Sequence, residues 1–592
     1  MQKREKIFIG VAWPYANGEQ HIGHMSGAYL PPDIFARFHR MFGSDVLMVS
    51  GSDSHGTPIT VKADEEHTTP DKILERYHEH FIKTYQRFGL TFDLFTHTDT
   101  QMHWDTAHEL FQSHLKNGYL YTESQKQIFD ASVGKFLPDR YVEGTCPKCG
   151  FTEARGDQCD QCGSTYEAVE LKNPRSKMTG SSALEVRDTV HYFLDLGKLN
   201  DGLIEWINDG KKSHWRAQVI NYAKAQINAK ELRGRPITRD LLWGVSVPVD
   251  GFDSKRLYVW YEAVIGYLSA TKEWALLQGD SSSWDSWWKT SETNTSDVKS
   301  YYFIGKDNVV FHTIMWPAML LGLGKSYVMP FDVPANEYLN MYGRKFSKSR
   351  GNIISISAVL DRFQPDAWRY ALTAMAPEST DVDFTWDDFV ERVNNELVAN
   401  WGNLVNRLLG FSHKRFGEAV PDIDLNSLDE GSKELLEKVK NGFSEVTSLY
   451  RAVKLKSALE TVRACSQLVN QYISDRAPWT LIKTDEAGAK MAVYVGLQCI
   501  DWLKVMWAPI LPFSCQKLHE LLGFQGELFG RLYEQRVDDA RGEHLVLRYD
   551  HFEAKGRWAL GILPPGQKIP VPEPLFQKLD PKSIPELNHE SN

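Results

Sequence analysis

The chain has 592 residues, enough for roughly three or four domains of ordinary size. Apolar residues make up 42% and charged residues 24%, as in an ordinary globular protein, and no apolar run approaches the 18 or so residues of a membrane span. Net charge is −10, from 67 basic and 77 acidic residues, so bulk charge gives no reason to expect a nucleic-acid partner and any such surface must be a local patch. Lys3, Arg4 and Lys6 precede the first apolar run, but no small-residue cleavage pattern follows it, and a cytoplasmic protein is expected.

That first run, residues 7–13, reads as a buried strand. Next comes YANGEQHIGHM, residues 15–25, which contains His21-Ile22-Gly23-His24. Ile34, Phe35, Phe38 and Met41 then recur at helical spacing over 32–41. Two histidines therefore sit where a strand gives way to a helix. Helix N-termini attract phosphate through free N–H groups and the helix dipole, and Gly18 and Gly23 let backbone approach a ligand closely. The pattern suggests a nucleotide phosphate over a helix start; the plainer alternative is a turn that happens to hold two histidines. Residues 45–50 read as a second buried strand, ending in Gly51-Ser52-Asp53-Ser54-His55-Gly56, at the strand edge where open α/β sheets bind ligands. Residues 74–88 and 105–115 have helical spacing, so 1–118 is predicted as the first half of a doubly wound, Rossmann-like α/β domain.

Residues 119–236 break the alternation and read as an insert. It holds Cys146-x-x-Cys149 and Cys159-x-x-Cys162, two knuckles that present four thiolates to one tetrahedral ion. A redox dithiol pair or an iron–sulfur cluster would not normally use two symmetric knuckles, so structural zinc is expected, with no open coordination position for catalysis. Cys465, Cys499 and Cys515 are scattered in helical pattern and read as buried small hydrophobes. The α/β pattern resumes over 237–330, with strands predicted at 256–260 and 300–304, helices at 261–274 and 311–323, and a surface loop at 278–299. A junction, 331–386, carries GRKFSKSRGN at 343–352, a Gly-bounded cationic loop with Lys345, Ser347, Lys348 and Ser349. From 387 to 560 the spacing is read as helical throughout, a bundle around the apolar segment 489–507. The Pro-rich stretch 561–592 is expected to lie extended on the surface.

His21-Ile22-Gly23-His24 and Lys345-Phe346-Ser347-Lys348-Ser349 resemble the HIGH and KMSKS signatures of class I aminoacyl-tRNA synthetases, with Phe346 for the usual Met at a position that packs inward in the family. The resemblance extends over nearly the whole chain and is to the methionyl-tRNA synthetase family. Residues 12–18 resemble its ALPYANG segment, 51–56 its DDAHG, 258–263 its YVWLDA, and 303–307 with Phe311-His312 its FIGKD and FH. It implies His21, His24, Lys345 and Lys348 as catalytic residues. ATP would lie on Tyr15, Asn17, Gly18, His21, Gly23, His24 and Lys348. Methionine would be held by Trp13, Tyr15, Asp53, Trp260, Ala263, Tyr267 and His312, with Asp53 on its ammonium and aromatic surface around its thioether. Trp13 departs from the family's Leu or Ile, and Glu262 from its Asp. Asn403 and Arg407, four apart on one helix face, and Trp479 after Ala477-Pro478 match the family's anticodon-reading positions. The implied partners are ATP with Mg²⁺, L-methionine and tRNA(Met), and a monomer is expected.

Rival readings each leave something out. The branched-chain class I synthetases carry an editing domain larger than 119–236, and a cysteinyl enzyme has mixed ligands on a catalytic zinc. A small nucleotidyltransferase with a similar turn has no long helical C-terminal domain. A zinc-ribbon nucleic-acid module leaves His21, His24 and the lysine loop without a role.

Overall fold

A computed structural model describes residues 4–584 apart from 139–140, 157–158, 160, 163, 165, 229–231, 291–297, 325, 345 and 347–352. Its organising element is a seven-stranded sheet. The strands are β1 (Lys6–Val11), β2 (Asp45–Ser52), β3 (Leu94–His97), β4 (Val298–Gly305), β5 (Ala335–Asn336), β6 (Arg531–Asp539) and β7 (Gly542–Asp550). They lie in the order β5-β4-β1-β2-β3-β7-β6, with the first five parallel and the last two antiparallel. Side chains of β1 alternate between the two faces, as strand geometry requires. Ile7, Ile9 and Val11 join a core that runs on into the helical bundle, while Phe8 joins the core on the opposite face.

The helices between these strands begin and end on local signals. Leu30–Phe42 has Pro in its first turn and stops at Gly43, φ 93°. Pro70–Phe88 repeats this with Gly89, φ 77°, and Gln101–Lys116 is capped by Thr100, whose hydroxyl accepts from the His103 N–H. The insert contributes a four-stranded antiparallel sheet, built on Leu120–Asp130 against Leu184–Leu194, and a three-stranded one next to the cysteines. The bundle is centred on Glu486–Trp507, buried along nearly all its length. The tail to residue 584 runs without long elements and anchors itself through buried Leu563, Ile569, Leu575, Phe576 and Ile584. No described helix is long and apolar enough to cross a membrane.

Three expectations are corrected. Residues 256–260, read as a sheet strand, contribute only Arg256–Leu257 to a two-stranded ladder, and Val259 already opens the helix Val259–Leu277. Their aromatic and β-branched composition favours a strand in isolation, and tertiary packing overrides it. Residues 278–299, read as a surface loop, contain the helical turn Asp285–Trp288. Trp288 there is buried between Phe8 and Trp316, at 4.9 and 5.7 Å between ring centroids, and donates Nε1–H to Thr271 Oγ1 at 2.9 Å. Residues 387–560, read as helical throughout, contain the hairpin β6–β7, which leaves the bundle and pairs with β3 (Leu547 opposite Phe95).

Candidate active site

In this strand order the chain leaves β1 towards β2 on one side and returns to β4 on the other. The crevice at the carboxyl ends of β1 and β4 is thus the topological switch point, where such sheets bind ligands. A cleft of about 540 Å³ opens there. Trp13, Tyr15, Asn17, Gly18, His21, Gly23, His24, Asp53, Trp260, Ala263, Tyr267 and His312 all line it.

One end of the cleft is the histidine turn. After β1 the backbone crosses to the end of β2, where the Asp53 N–H donates to the Pro14 carbonyl at 2.8 Å. His21 is extended (φ −116°, ψ 169°) and precedes a helical run that opens at Ile22, passes through a π turn at Met25–Tyr29 and continues as Leu30–Phe42. Its N–H donates to His24 Nδ1 at 3.2 Å, and the two imidazoles stack 3.7 Å apart. Phe346 stacks on the His21 ring at 4.8 Å. Gly23 has no room for a side chain, because a Cβ would lie 2.9 Å from Phe346 and 3.0 Å from the His21 ring. Just beyond the lysine loop, the Ile354 carbonyl accepts from the Ile22 N–H at 3.1 Å, and the Ile356 N–H donates to the Gln20 carbonyl at 3.1 Å. Phe346 and Ile354 therefore both rest on the histidine turn. Lys345 and Lys348 lie outside the described residues.

The other end is aromatic and buried. His312 donates Nδ1–H to the Asn308 carbonyl at 2.9 Å, which leaves Nε2 to accept from the Tyr267 hydroxyl at 2.7 Å. Burial lowers the His312 pKa to about 4, so the ring is neutral. Trp260 is 46% exposed at the mouth and packs on Phe311 at 5.0 Å. Burial, then the nearby Glu262 carboxylate, push Asp53 well above the usual carboxylate range, with His55 opposing.

Trp13 fits because two glycines make space for it. A Cβ at Gly51 would lie 2.1 Å from its ring, and one at Gly266 would lie 2.6 Å from it. The indole is thus clasped between β2 and the helix Val259–Leu277 and meets Tyr267 edge-on at 6.3 Å, and its buried Nε1 has no hydrogen-bond partner among the described residues. Nothing in the sequence singled out Gly51 and Gly266 as this pair. Glu262 is also more than a conservative exchange: fully buried, it bridges His55 Nδ1 at 3.1 Å and His103 Nε2 at 2.5 Å. His55 lies in segment 51–56, which resembles a family motif, whereas His103 carries no sequence signal.

In the C-terminal half of the chain, the helical run Trp386–Glu391, Arg392–Gly402, Asn403–Arg415 contains a long π segment in its middle. Asn403 and Arg407 are exposed, while Leu404 and Leu408 point into the core. The Arg407 guanidinium lies 4.5 Å over the half-buried Trp479 ring, so the three proposed reading residues share one surface. Ala477, at φ 41°, makes the sharp turn that presents Trp479.

In the insert, Cys146, Cys149, Cys159 and Cys162 bring their sulfurs within 4.8 Å of one another, the one cluster of this kind among the described residues. Two sulfur–sulfur edges measure 3.9 and 3.6 Å. Thiolates held tetrahedrally about 2.3 Å from one ion would be about 3.8 Å apart, so the donor set fits a closed structural metal site. The Lys148 and Cys149 N–H groups donate to Cys146 Sγ at 3.4 and 3.5 Å, and Gly150 turns the knuckle at φ 80°. Gly163 lies outside the described residues.

A doubly wound sheet with this histidine turn at its switch point, and a helical bundle behind it, defines a class I aminoacyl-tRNA synthetase. Residues 7–409 match the family model for class I tRNA synthetases (M), and 424–537 match the anticodon-binding domain of methionyl tRNA ligase. The chain is 48% identical to a methionine–tRNA ligase of Roseiflexus castenholzii and 46% identical to one of Thermomicrobium roseum, each alignment covering 98% of both chains. The fold matches Mycobacterium tuberculosis methionyl-tRNA synthetase in complex with methionyl-adenylate, with a TM-score of 0.75 at 23% identity over 97% of this chain and 100% of that one. The chain belongs to the methionine–tRNA ligase family.

Proposed function

We propose that the cleft activates L-methionine with ATP and transfers the methionyl group to the 3′ end of tRNA(Met). The observation that carries this reading is the single crevice that joins the stacked His21–His24 turn to the buried Asp53, Tyr267 and His312. The methionine carboxylate attacks the α-phosphate, which gives methionyl-adenylate and pyrophosphate. A ribose hydroxyl of the terminal adenosine then takes the methionyl group and releases AMP. No protein nucleophile is needed, and catalysis consists of positioning and charge stabilisation.

Asp53 binds the ammonium. That cation favours the ionised carboxylate, which burial and Glu262 otherwise oppose. Tyr15, Trp13, Trp260, Ala263 and Tyr267 surround the thioether, and neutral His312 holds the Tyr267 hydroxyl in place. Asn17, Gly18 and Gly23 admit the nucleotide, His21 and His24 donate to its phosphates, and Lys345 and Lys348 neutralise the departing pyrophosphate. Mg²⁺ accompanies ATP. Zinc on the four cysteines staples the insert 119–236, whose core next to the cysteines is limited to side chains such as Ile128, Leu137, Val142 and Leu171. The bundle reads the anticodon through Asn403, Arg407 and Trp479.

Amino-acid-dependent ATP–pyrophosphate exchange with all twenty amino acids tests the reading. Exchange should appear with methionine and collapse in His24→Ala. Exchange driven by a different amino acid, or by none, would refute it.

A further inference from the structure

The turn of the β6–β7 hairpin carries Arg541, outside both stretches matched by the family models. Although more than four hundred residues away in sequence, it reaches Asp99 behind the cleft. Nε donates to Asp99 Oδ1 at 2.9 Å, and Nη2 lies 2.6 Å from the same oxygen. The guanidinium sits 3.7 Å over the Trp104 ring, and Trp104 donates its own Nε1–H to Asp99 Oδ1 at 3.2 Å. Asp99 in turn meets His55 Nε2 at 3.3 Å, and His55 Nδ1 meets Glu262 Oε1 at 3.1 Å. The His55 backbone N–H donates to Asp53 Oδ1 at 3.4 Å.

The charges along this row alternate: guanidinium, carboxylate, imidazolium, carboxylate. Burial would lower the His55 pKa, but Glu262 and Asp99 raise it to about 10, so the ring stays cationic at neutral pH. Glu262 is resisted by burial yet lowered to about 2 by His55 and His103, so it stays ionised. Such a row holds its members in place only while each charge has its partner. Without Arg541, Asp99 loses its counter-charge from the hairpin side and keeps His55 as its cationic partner, beside the neutral Trp104 N–H. His55 is the residue whose backbone aims Asp53.

We propose that Arg541 is a positioning residue for methionine: through Asp99 and His55 it fixes the ammonium-binding carboxylate Asp53. The inference rests on the assignment of Asp53 to the methionine ammonium. It makes the C-terminal hairpin part of the substrate-recognition apparatus.

The test compares dissociation constants of the wild type, Arg541→Gln and Arg541→Lys for three ligands. The ligands are methionine, methioninol (which keeps the ammonium and thioether but lacks the carboxylate) and ATP. In Arg541→Gln, methionine and methioninol should both weaken about tenfold, within what coupling through one hydrogen-bonded network transmits, while ATP binding stays within about twofold. Arg541→Lys keeps the charge without the fork, and should fall between the two. In exchange assays the loss should appear in the methionine KM and leave kcat nearly unchanged. Equal weakening of ATP and methionine, or unchanged methionine affinity in a folded Arg541→Gln protein, overturns the proposal. A wild type that binds neither methionine nor methioninol overturns the functional reading instead, and the inference with it.

Discussion

Gly266→Ala adds one methyl group where the structure has no space for it. The new Cβ would sit 2.6, 2.7 and 3.2 Å from Trp13 Cζ2, Cε2 and Cη2, whereas carbon atoms rest at about 3.5–4.0 Å. The indole would have to retreat by about 1 Å. Gly51 blocks that retreat, since its backbone lies so close to the other edge of the ring that a Cβ there would be 2.1 Å away. Two effects of opposite sign then compete. Overpacking costs about 1–3 kcal/mol. Replacing Gly by Ala inside the helix Val259–Leu277 returns about 1 kcal/mol. With Trp13 in place the substitution should destabilise the protein by up to about 2 kcal/mol and push the indole towards Tyr267, raising the methionine KM by about tenfold. In a Trp13→Leu background the clash is gone, and Gly266→Ala should stabilise by about 1 kcal/mol. The sign reversal is the diagnostic. Thermal melts and methionine-dependent pyrophosphate exchange on the four proteins of this cycle measure it. If Gly266→Ala has the same effect in both backgrounds, Trp13 does not occupy the space over Gly266 and the account of its fit is wrong.

Trp479→Ala should reduce tRNA charging by about tenfold, within the 1–3 kcal/mol of one base stack, and leave pyrophosphate exchange almost unchanged; parallel loss of both activities would mark a purely structural Trp. Cys149→Ser should release bound zinc and lower the melting temperature, as chelation of the wild type should, whereas metal-free wild type of full stability would dismiss the site. Stability should peak near neutral pH and fall on both sides. Burial lowers His78, His114 and His312 to about 4, so the unfolded chain takes up their protons first and stability drops as pH falls below about 6.5. His55 is raised to about 10, so its ionic contribution is complete below about 6.5 and drains away as pH climbs towards 10. Denaturant midpoints from pH 4 to 10 check both limbs, and a midpoint still rising below pH 6 would contradict the first.

What the sequence discloses and what it conceals divide along physical lines. β1, β2 and the helices at 30–42 and 70–88 rest on local patterning with Pro and Gly at their ends, and they form where that patterning puts them. The four-cysteine spacing is equally local, and the sulfurs converge. Residues 256–260 and 278–299 misled because their conformation is set by what they pack against, Phe311 for Trp260 and Phe8 and Trp316 for Trp288. The hairpin had an available signal, the short apolar run Leu545-Val546-Leu547 followed by Tyr549 just after Gly542, but it was hidden by the helices before it. In the cleft, motif residues were recognisable from their resemblance, and the structure gathers those it describes. The glycines that accommodate Trp13 were not recognisable, because the absence of a Cβ has meaning only once a neighbour's ring is placed.

The pairing of β7 with β3 has a temporal side. β3 is complete once residue 97 has been made, and its partner strand opens only at residue 542. At about 5–20 residues per second, the outer edge of β3 waits some tens of seconds for its neighbour, against microseconds for a hairpin to close. During that interval the nascent domain presents unpaired N–H and C=O groups along β3, the kind of edge that recruits foreign strands. The half of the catalytic sheet translated first is therefore the half finished last. A ribosome stalled before residue 542 would hold a chain that carries every signature motif and lacks the strand that covers β3.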